Sequence, residues 1–437
     1  MSHILVCSVP NPGHVGPMLA AAQHLKGVGH NVTFNTSENF RSKVESIGIR
    51  FVAMTGKANY DYRHTDDLQA SKDLSDSDQK IDLLKTRFVE PIPDQHQGIQ
   101  QILRQTPTDL VLLDTMFLGS YPMLFGPRRE RPPVIGCGVN PMMLSSRDCW
   151  LLLPPANTPE GRQQILEEKQ RIQTTFQPVC DAIDSIMRPY GIPPMPHFFT
   201  DSMYLLSDTF LQFTAEAFEF PRSDMPDTIR FIGPILPARS VEFDAPDWWN
   251  ELDGSRPVVL VTQGTLANHD FNEVIQPALL GLADENVTVI VAAGRSDTQT
   301  LLVPKNARVA PFVPFDRLLP KVDVFVTNGG YGAVNHAFSL GVPIVVAGET
   351  EEKDVIAARV GWTGAGINLK TRYASAEQIR NAVRAILTNK QYRNEAQRLR
   401  KDFSRYNALD ELARTVDAML AQDKNMAKPD FEPDYAH

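Results

Sequence analysis

His14 stands in the run Pro10-Asn11-Pro12-Gly13-His14-Val15-Gly16-Pro17, which reads as a loop between the short apolar stretch HILVCSVP and a helix-forming segment at 18–25. An imidazole has the ordinary pKa best suited to taking a proton near neutral pH, so a histidine delivered from a strand end into a cleft is a candidate general base. Taken alone, a lone histidine reads more readily as a helix cap or a loop hydrogen-bonder. Asp114 closes the apolar run TDLVLLD, so its carboxylate emerges at a strand end as well. There it can orient an imidazole and stabilise its charged form. A single strand-ending aspartate reads equally as a turn or helix cap.

A second kind of chemistry uses the backbone. In Val326-Thr327-Asn328-Gly329-Gly330-Tyr331-Gly332-Ala333-Val334-Asn335-His336, closely spaced glycines open a helix directly after a strand. Glycine lets the chain approach a pyrophosphate, and the amides of a helix start stabilise its charge. The alternative is a tight strand-to-helix turn that binds nothing. The segment VTQGT, with Gly264 and Thr265 after a strand, has a similar but commoner grammar in which amides and a hydroxyl meet phosphate oxygens.

The elements that must hold these residues follow an alternating strand and helix order. Strands are expected at the start of the chain, then at 31–34, 109–113 and 133–137, so that the first βαβ unit builds a parallel sheet. Residues 61–105 turn polar and then amphipathic, and 160–188 is again helical; such insertions suit the shaping of a pocket. The Pro-rich stretch 231–249 has the composition of a linker. The alternation restarts with strands at 257–262, 287–293 and 322–327 and a helix at 271–283, and closes with helices at 376–387 and 407–420. The domain reading is therefore 1–235, a linker at 236–250, a second α/β domain at 251–405, a C-terminal helix at 406–421 and a mobile tail at 422–437.

Composition narrows the classes. The 437 residues suit two domains, and 42% hydrophobic with 22% charged residues is ordinary for a soluble globular chain. A net charge of −9 argues against a broad grip on nucleic acid or an anionic membrane, so no nucleic-acid partner is expected. Cys7, Cys137, Cys149 and Cys180 form no CxxC pair and read as reduced thiols. The absence of a signal-like N-terminus or a long apolar run points to a cytoplasmic protein with no transmembrane segment.

The opening PNPGHVGPMLAAAQHLKGVGHNVTF resembles that of the GT-B UDP-glycosyltransferases, glycosyltransferase family 1, in which a GHxxP loop carries the catalytic histidine. Further along, Phe312-Val313-Pro314-Phe315-Asp316-Arg317-Leu318-Leu319, the NGGYG run and Gly341 to Val360 resemble the donor signature of that family, in a form closest to fungal and bacterial members. The resemblance implies an α/β fold of GT-B type: two Rossmann-like domains facing across a cleft, with a C-terminal helix crossing back to the N-domain. It implies His14 as base and Asp114 as its partner, Phe312 stacking on uracil, Val313 meeting the base edge, and Gly329, Gly330 and Gly332 cradling the diphosphate with help from Gly264 and Thr265. Glu352 and Lys353 fall at the family's Asp-Gln pair for sugar hydroxyls; lysine there departs from the pattern, as do Asn328, Ala333 and His336 at positions of a phosphate-binding His, a Ser and a ribose-binding acid.

The implied activity is inverting transfer of a hexose, glucose by family weight, from a UDP-sugar to a hydroxyl of a small lipophilic acceptor, with no cofactor beyond that co-substrate and no metal. Asp76-Ser77-Asp78 has the form of a DxD metal motif but reads as a solvated loop. Met116, Phe117, Met142, Met143, Trp150, Phe198 and Phe199 are candidate acceptor contacts, although core packing is the stronger reading of such residues. Two rivals remain open: a sugar-nucleotide epimerase on the same fold, and a non-catalytic sugar-nucleotide- or lipid-binding protein. An NAD-dependent dehydrogenase is disfavoured by the missing GxGxxG.

Overall fold

The computed structural model describes residues 1–63, 76–237, 243–264, 270–294 and 297–426. Thirteen strands are described, in two sheets. The first sheet comprises β1 (His3–Cys7), β2 (Asn31–Thr36), β3 (Arg50–Ala53), β4 (Leu110–Asp114), β5 (Val134–Gly138), β6 (Thr209–Gln212) and β7 (Ile229–Phe231), all parallel, in the order β3-β2-β1-β4-β5-β6-β7. The second comprises β8 (Val258–Thr262), β9 (Thr288–Ala292), β10 (Ala307–Ala310), β11 (Val324–Thr327), β12 (Ile344–Val346) and β13 (Gly366–Asn368), also parallel, in the order β10-β9-β8-β11-β12-β13.

Parallel sheets are covered on both faces, and their strands therefore read as unbroken apolar runs. Along β1, Ile4 and Val6 face one core while Leu5 and Cys7 face the other, the period of two that a pleated strand imposes. The second sheet repeats this, with Leu260 and Phe325 on one side and Val259, Val261 and Val326 on the other. The strand order reverses beside the first strand of each sheet: between β1 and β4, and between β8 and β11. Ligands of doubly wound sheets bind in the crevice that opens at that reversal.

The helix Ala408–Met426 crosses back to the first domain. Ala408, Leu412, Val416 and Leu420, four residues apart, lie in the same core as Ile4, Leu25 and Leu112. The helix thereby joins the end of the chain to the sheet that begins it.

Four expectations need correction. The segment before 18–25 is not a loop: the helix runs from Pro12 to Gly27, because proline is tolerated at its first position and the Asn11 side chain accepts a hydrogen bond from Gly13 N. Asp76-Ser77-Asp78 likewise opens a helix, Asp76–Leu84, and is not a loop. The helix expected at 271–283 is regular only over Ile275–Gly281. The last helix continues to Met426, past the expected start of a tail at 422, and 427–437 lie outside the described residues.

Candidate active site

His14 is the third residue of the first helix, directly after β1, and Asp114 is the last residue of β4. Because β1 and β4 are neighbours, with Cys7 opposite Leu113, the two side chains meet at the strand-order reversal. His14 Nδ1 lies 3.0 Å from Asp114 Oδ1. The carboxylate also accepts from Met116 N at 2.7 Å, Val9 N at 2.8 Å and Ser8 Oγ at 3.0 Å, so both oxygens are held from two strand ends. A carboxylate with these donors accepts, so Nδ1 carries the proton and Nε2 is the nitrogen with a free lone pair.

His14 is only 6% exposed and Asp114 fully buried. Burial alone would push the imidazole pKa down. The charge and hydrogen bond of Asp114 outweigh it, Glu352 and Glu351 of the second domain add to the pull, and the net shift is upward from 6.5. The imidazole is thus tuned from both sides of the cleft.

The second reversal is built from backbone. Gly264 follows β8 and Asn328 follows β11, and Asn328 Nδ2 donates to the Gln263 carbonyl at 2.5 Å, tying the two strand ends together. Gly329 takes φ +95°, and a Cβ there would lie 2.9 Å from Val346 Cγ2, so the position requires glycine. The helix Tyr331–Ser339 starts at once, with Gly330 as its cap. A Cβ added at Gly330 or Gly332 would meet nothing within 4 Å, so bare backbone faces open space just where the first helical N–H groups lack partners. An anion site at a helix N-terminus needs these features.

Other expected donor residues fall around this helix start. Phe312 stands out with 77% of its surface exposed, whereas Val313 is buried beneath it. Ala333 lies in the first turn of the helix, and His336 is buried in its next turn, its ring 6.2 Å from that of Phe315. Burial pushes the His336 pKa down against the pull of Asp316. Thr265 lies outside the described residues.

Glu352 caps the helix Lys353–Trp362. Burial and the neighbouring Glu351 push its carboxyl above the ordinary range, against the pull of Lys353. Lys353 is buried, and its ammonium is already engaged by Glu351 Oε2 at 2.5 Å and Thr350 Oγ1 at 3.1 Å. Burial works against ionised Glu351, but the charge and hydrogen bond of Lys353 prevail and keep its carboxyl low.

The expected acceptor contacts divide. Phe117, Met142 and Trp150 are at most 1% exposed, and Trp150 donates Nε1–H to the Met143 carbonyl at 3.2 Å. These three are core residues with no surface to offer a ligand, which corrects the acceptor reading. Met116 is nearly as buried, and its contribution is the backbone N–H on Asp114. Phe199 is buried too, whereas Met143 and Phe198 keep partial exposure. Among the described residues, no three His, Cys, Asp or Glu converge to hold a metal ion.

Several residues about the site carry no sequence motif. Ser8 and Val9 hold Asp114. Arg87, in a π-turn at Lys85–Val89, reaches across the cleft to within 3.9 Å of Glu351, and Lys80 pairs with Asp354 at 3.1 Å. Glu351 itself takes φ +57°, a strained conformation for a residue with a side chain. Only Ser8 and Val9, adjoining a strand end, had a readable signal.

Two parallel sheets, one with a histidine–carboxylate pair at its order reversal and the other with an open helix start at its own, frame this candidate site. Residues 277–419 match the family of the C-terminal domain of erythromycin biosynthesis protein CIII-like proteins. Over 436 residues the chain is 34% identical to UDP-glycosyltransferase 2 of Phaeomoniella chlamydospora, covering 96% of both chains. It is 31% identical to UDP-glucosyltransferase A1 of Starmerella bombicola, covering 96% of this chain and 93% of that one. The calicheamicin glycosyltransferase CalG4 superposes with a TM-score of 0.75 at 21% identity over 97% of this chain and 99% of the other, which establishes the shared fold. The chain belongs to the UDP-glycosyltransferase family and is a glycosyltransferase.

Proposed function

We propose that the protein transfers a hexose, glucose in the first instance, from a UDP-sugar to a hydroxyl of a small lipophilic acceptor with inversion at the anomeric carbon. The observation that carries this reading is the buried His14–Asp114 pair at 3.0 Å, set where the first sheet reverses and within electrostatic reach of Glu351 and Glu352 on the donor side. His14 Nε2 takes the acceptor hydroxyl proton, the oxygen bonds to the anomeric carbon, and the bond from that carbon to the diphosphate breaks with its electron pair leaving on UDP. Asp114 holds the ring and stabilises the imidazolium that forms.

The N–H groups at the start of Tyr331–Ser339 stand where negative charge develops on the leaving diphosphate, so they need no rearrangement during the reaction. The exposed Phe312 ring offers a face to uracil, and Glu352 a carboxyl to sugar hydroxyls. Half-buried Met143 and Phe198 offer apolar surface to the acceptor. In this reading no metal or further cofactor takes part. Four free, buried cysteines suit action in the reducing cytoplasm. No described helix is long and apolar enough to cross a membrane.

The test is incubation with UDP-glucose and a panel of phenols, sterols and hydroxy fatty acids, reading UDP release and the anomeric configuration of the product by NMR. The expected result is acceptor-dependent UDP release and a β-glucoside. Conversion of UDP-glucose to an epimer, or an α-glucoside, would contradict the proposal.

A further inference from the structure

The helix that offers its N-terminus to the cleft is also fastened to the opposite domain. Tyr331, its first residue, is buried, and its hydroxyl accepts from Gln212 Nε2 at 3.0 Å and lies 3.4 Å from Glu219 Oε1. Gln212 ends β6 and is itself fixed, donating to the carbonyls of Gly138 at 3.2 Å and Asn140 at 2.6 Å. One turn along the helix, Asn335 Oδ1 accepts from Thr214 Oγ1 at 2.5 Å.

The next donor-side helix, Lys353–Trp362, is held in the same way. Arg359 and Glu219, both without solvent exposure, are paired at 2.5 Å. Arg359 also donates to the carbonyls of Met142 at 2.7 Å and Leu151 at 3.1 Å, and its guanidinium sits 4.6 Å over the Phe220 ring. Glu219 in turn accepts from Met142 N at 2.9 Å. Gln212, Thr214 and Glu219 of the first domain thus grip Tyr331, Asn335 and Arg359 of the second in one buried polar network. Burying such a network costs desolvation that offsets much of the attraction within it.

We propose that Tyr331 is a positioning residue for transfer: through Gln212 and Glu219 it sets the amides that begin its helix at a fixed distance from His14, and so places the anomeric carbon under Nε2. Tyr331 need not touch the donor. It makes the separation of base and diphosphate site a property of a side-chain contact, and misplacement by about 1 Å costs on the order of 100-fold in rate. The inference rests on the reading that this helix start binds the diphosphate.

Tyr331→Phe removes the hydroxyl and keeps the ring packed against Phe218. The expected result is a kcat at saturating donor lowered about tenfold or more, with the UDP dissociation constant, KM for donor and Tm close to those of the wild type. An unchanged kcat overturns the proposal, as does a loss confined to UDP affinity or to Tm. Thr214→Val is the second variant, with a smaller drop expected. If the network acts as a unit, the double variant falls little below Tyr331→Phe, whereas fully multiplicative losses would show separate contacts and overturn it. Titration of the wild type with UDP separates the two readings: absence of binding there removes the diphosphate assignment itself, not merely the role of Tyr331.

Discussion

The two sheets of this molecule share strand direction, order reversal and two-sided burial, yet what stands at their reversals differs in kind. At β1 and β4 the work falls to side chains, His14 and Asp114, the first nearly and the second wholly buried, and held by hydrogen bonds. At β8 and β11 it falls to backbone, where side chains are absent at Gly330 and Gly332 and space is left open. Proton transfer needs a group whose pKa the surroundings can move, and only a side chain supplies one. Holding a diphosphate needs several N–H groups facing the same way, and a helix start supplies them. One architecture serves both halves because the chemistry is set by a few residues just beyond the strand ends.

This contrast can be broken most sharply at His14. His14→Ala is expected to lower kcat about a thousandfold, within the span attributed to general base catalysis, while UDP binding by calorimetry stays as in the wild type. The mirror variant is Gly330→Val. Gly330 has an ordinary φ of −59° and no neighbour near a Cβ, so the protein should fold normally, yet lose about tenfold or more in UDP affinity, the scale of one lost hydrogen bond to a charged group. Retention of UDP affinity in that variant would remove the backbone half of the comparison.

Asp114→Asn sharpens the side-chain half. Removing the charge takes away the main upward pull on His14, so the acid limb of the rate profile should move to lower pH while kcat falls about tenfold to a hundredfold. Phe312→Ala tests a smaller effect on the donor side. The ring is exposed and its removal should leave Tm unchanged, while UDP affinity falls about tenfold, the scale of one lost base–aromatic stack. Smallest of all, alkylation of the native protein should leave the four buried thiols unmodified with activity intact, since burial pushes the Cys7 and Cys137 thiols well above their ordinary range. Reaction of native Cys7, the one nearest β1's end, would contradict the sealed site.

Much of the frame was readable from patterning. Parallel strands buried on both faces left apolar runs that marked β1, β4, β5, β8, β9 and β11, and the helix expected at 376–387 is found at Ala376–Thr388, where the structure adds a Ser375–Gln378 capping box. Asp114 and the glycines after β11 were legible because they end or directly follow such a run, and His14 because it stands in the first connection after β1. The start of the first helix was not, since Pro12, Gly13 and Gly16 read as loop until the Asn11 cap is seen. The strands β6 and β7 were hidden because they span only four and three residues, and the contacts of Gln212 and Glu219 because Tyr331 and Arg359 lie more than a hundred residues away. Phe117, Met142 and Trp150 misled because apolar side chains look the same lining a pocket or filling a core.

The central claim is that the proton leaves the acceptor through His14. Its most direct test is the pH dependence of kcat/KM for the acceptor, in the wild type and in the residual rate of His14→Ala. A base must be neutral to act, and the His14 pKa lies above 6.5, so the wild-type rate should rise with pH and level off only beyond that value. The account predicts that this limb disappears in His14→Ala; a limb of the same shape and midpoint in that variant would assign the base to another group.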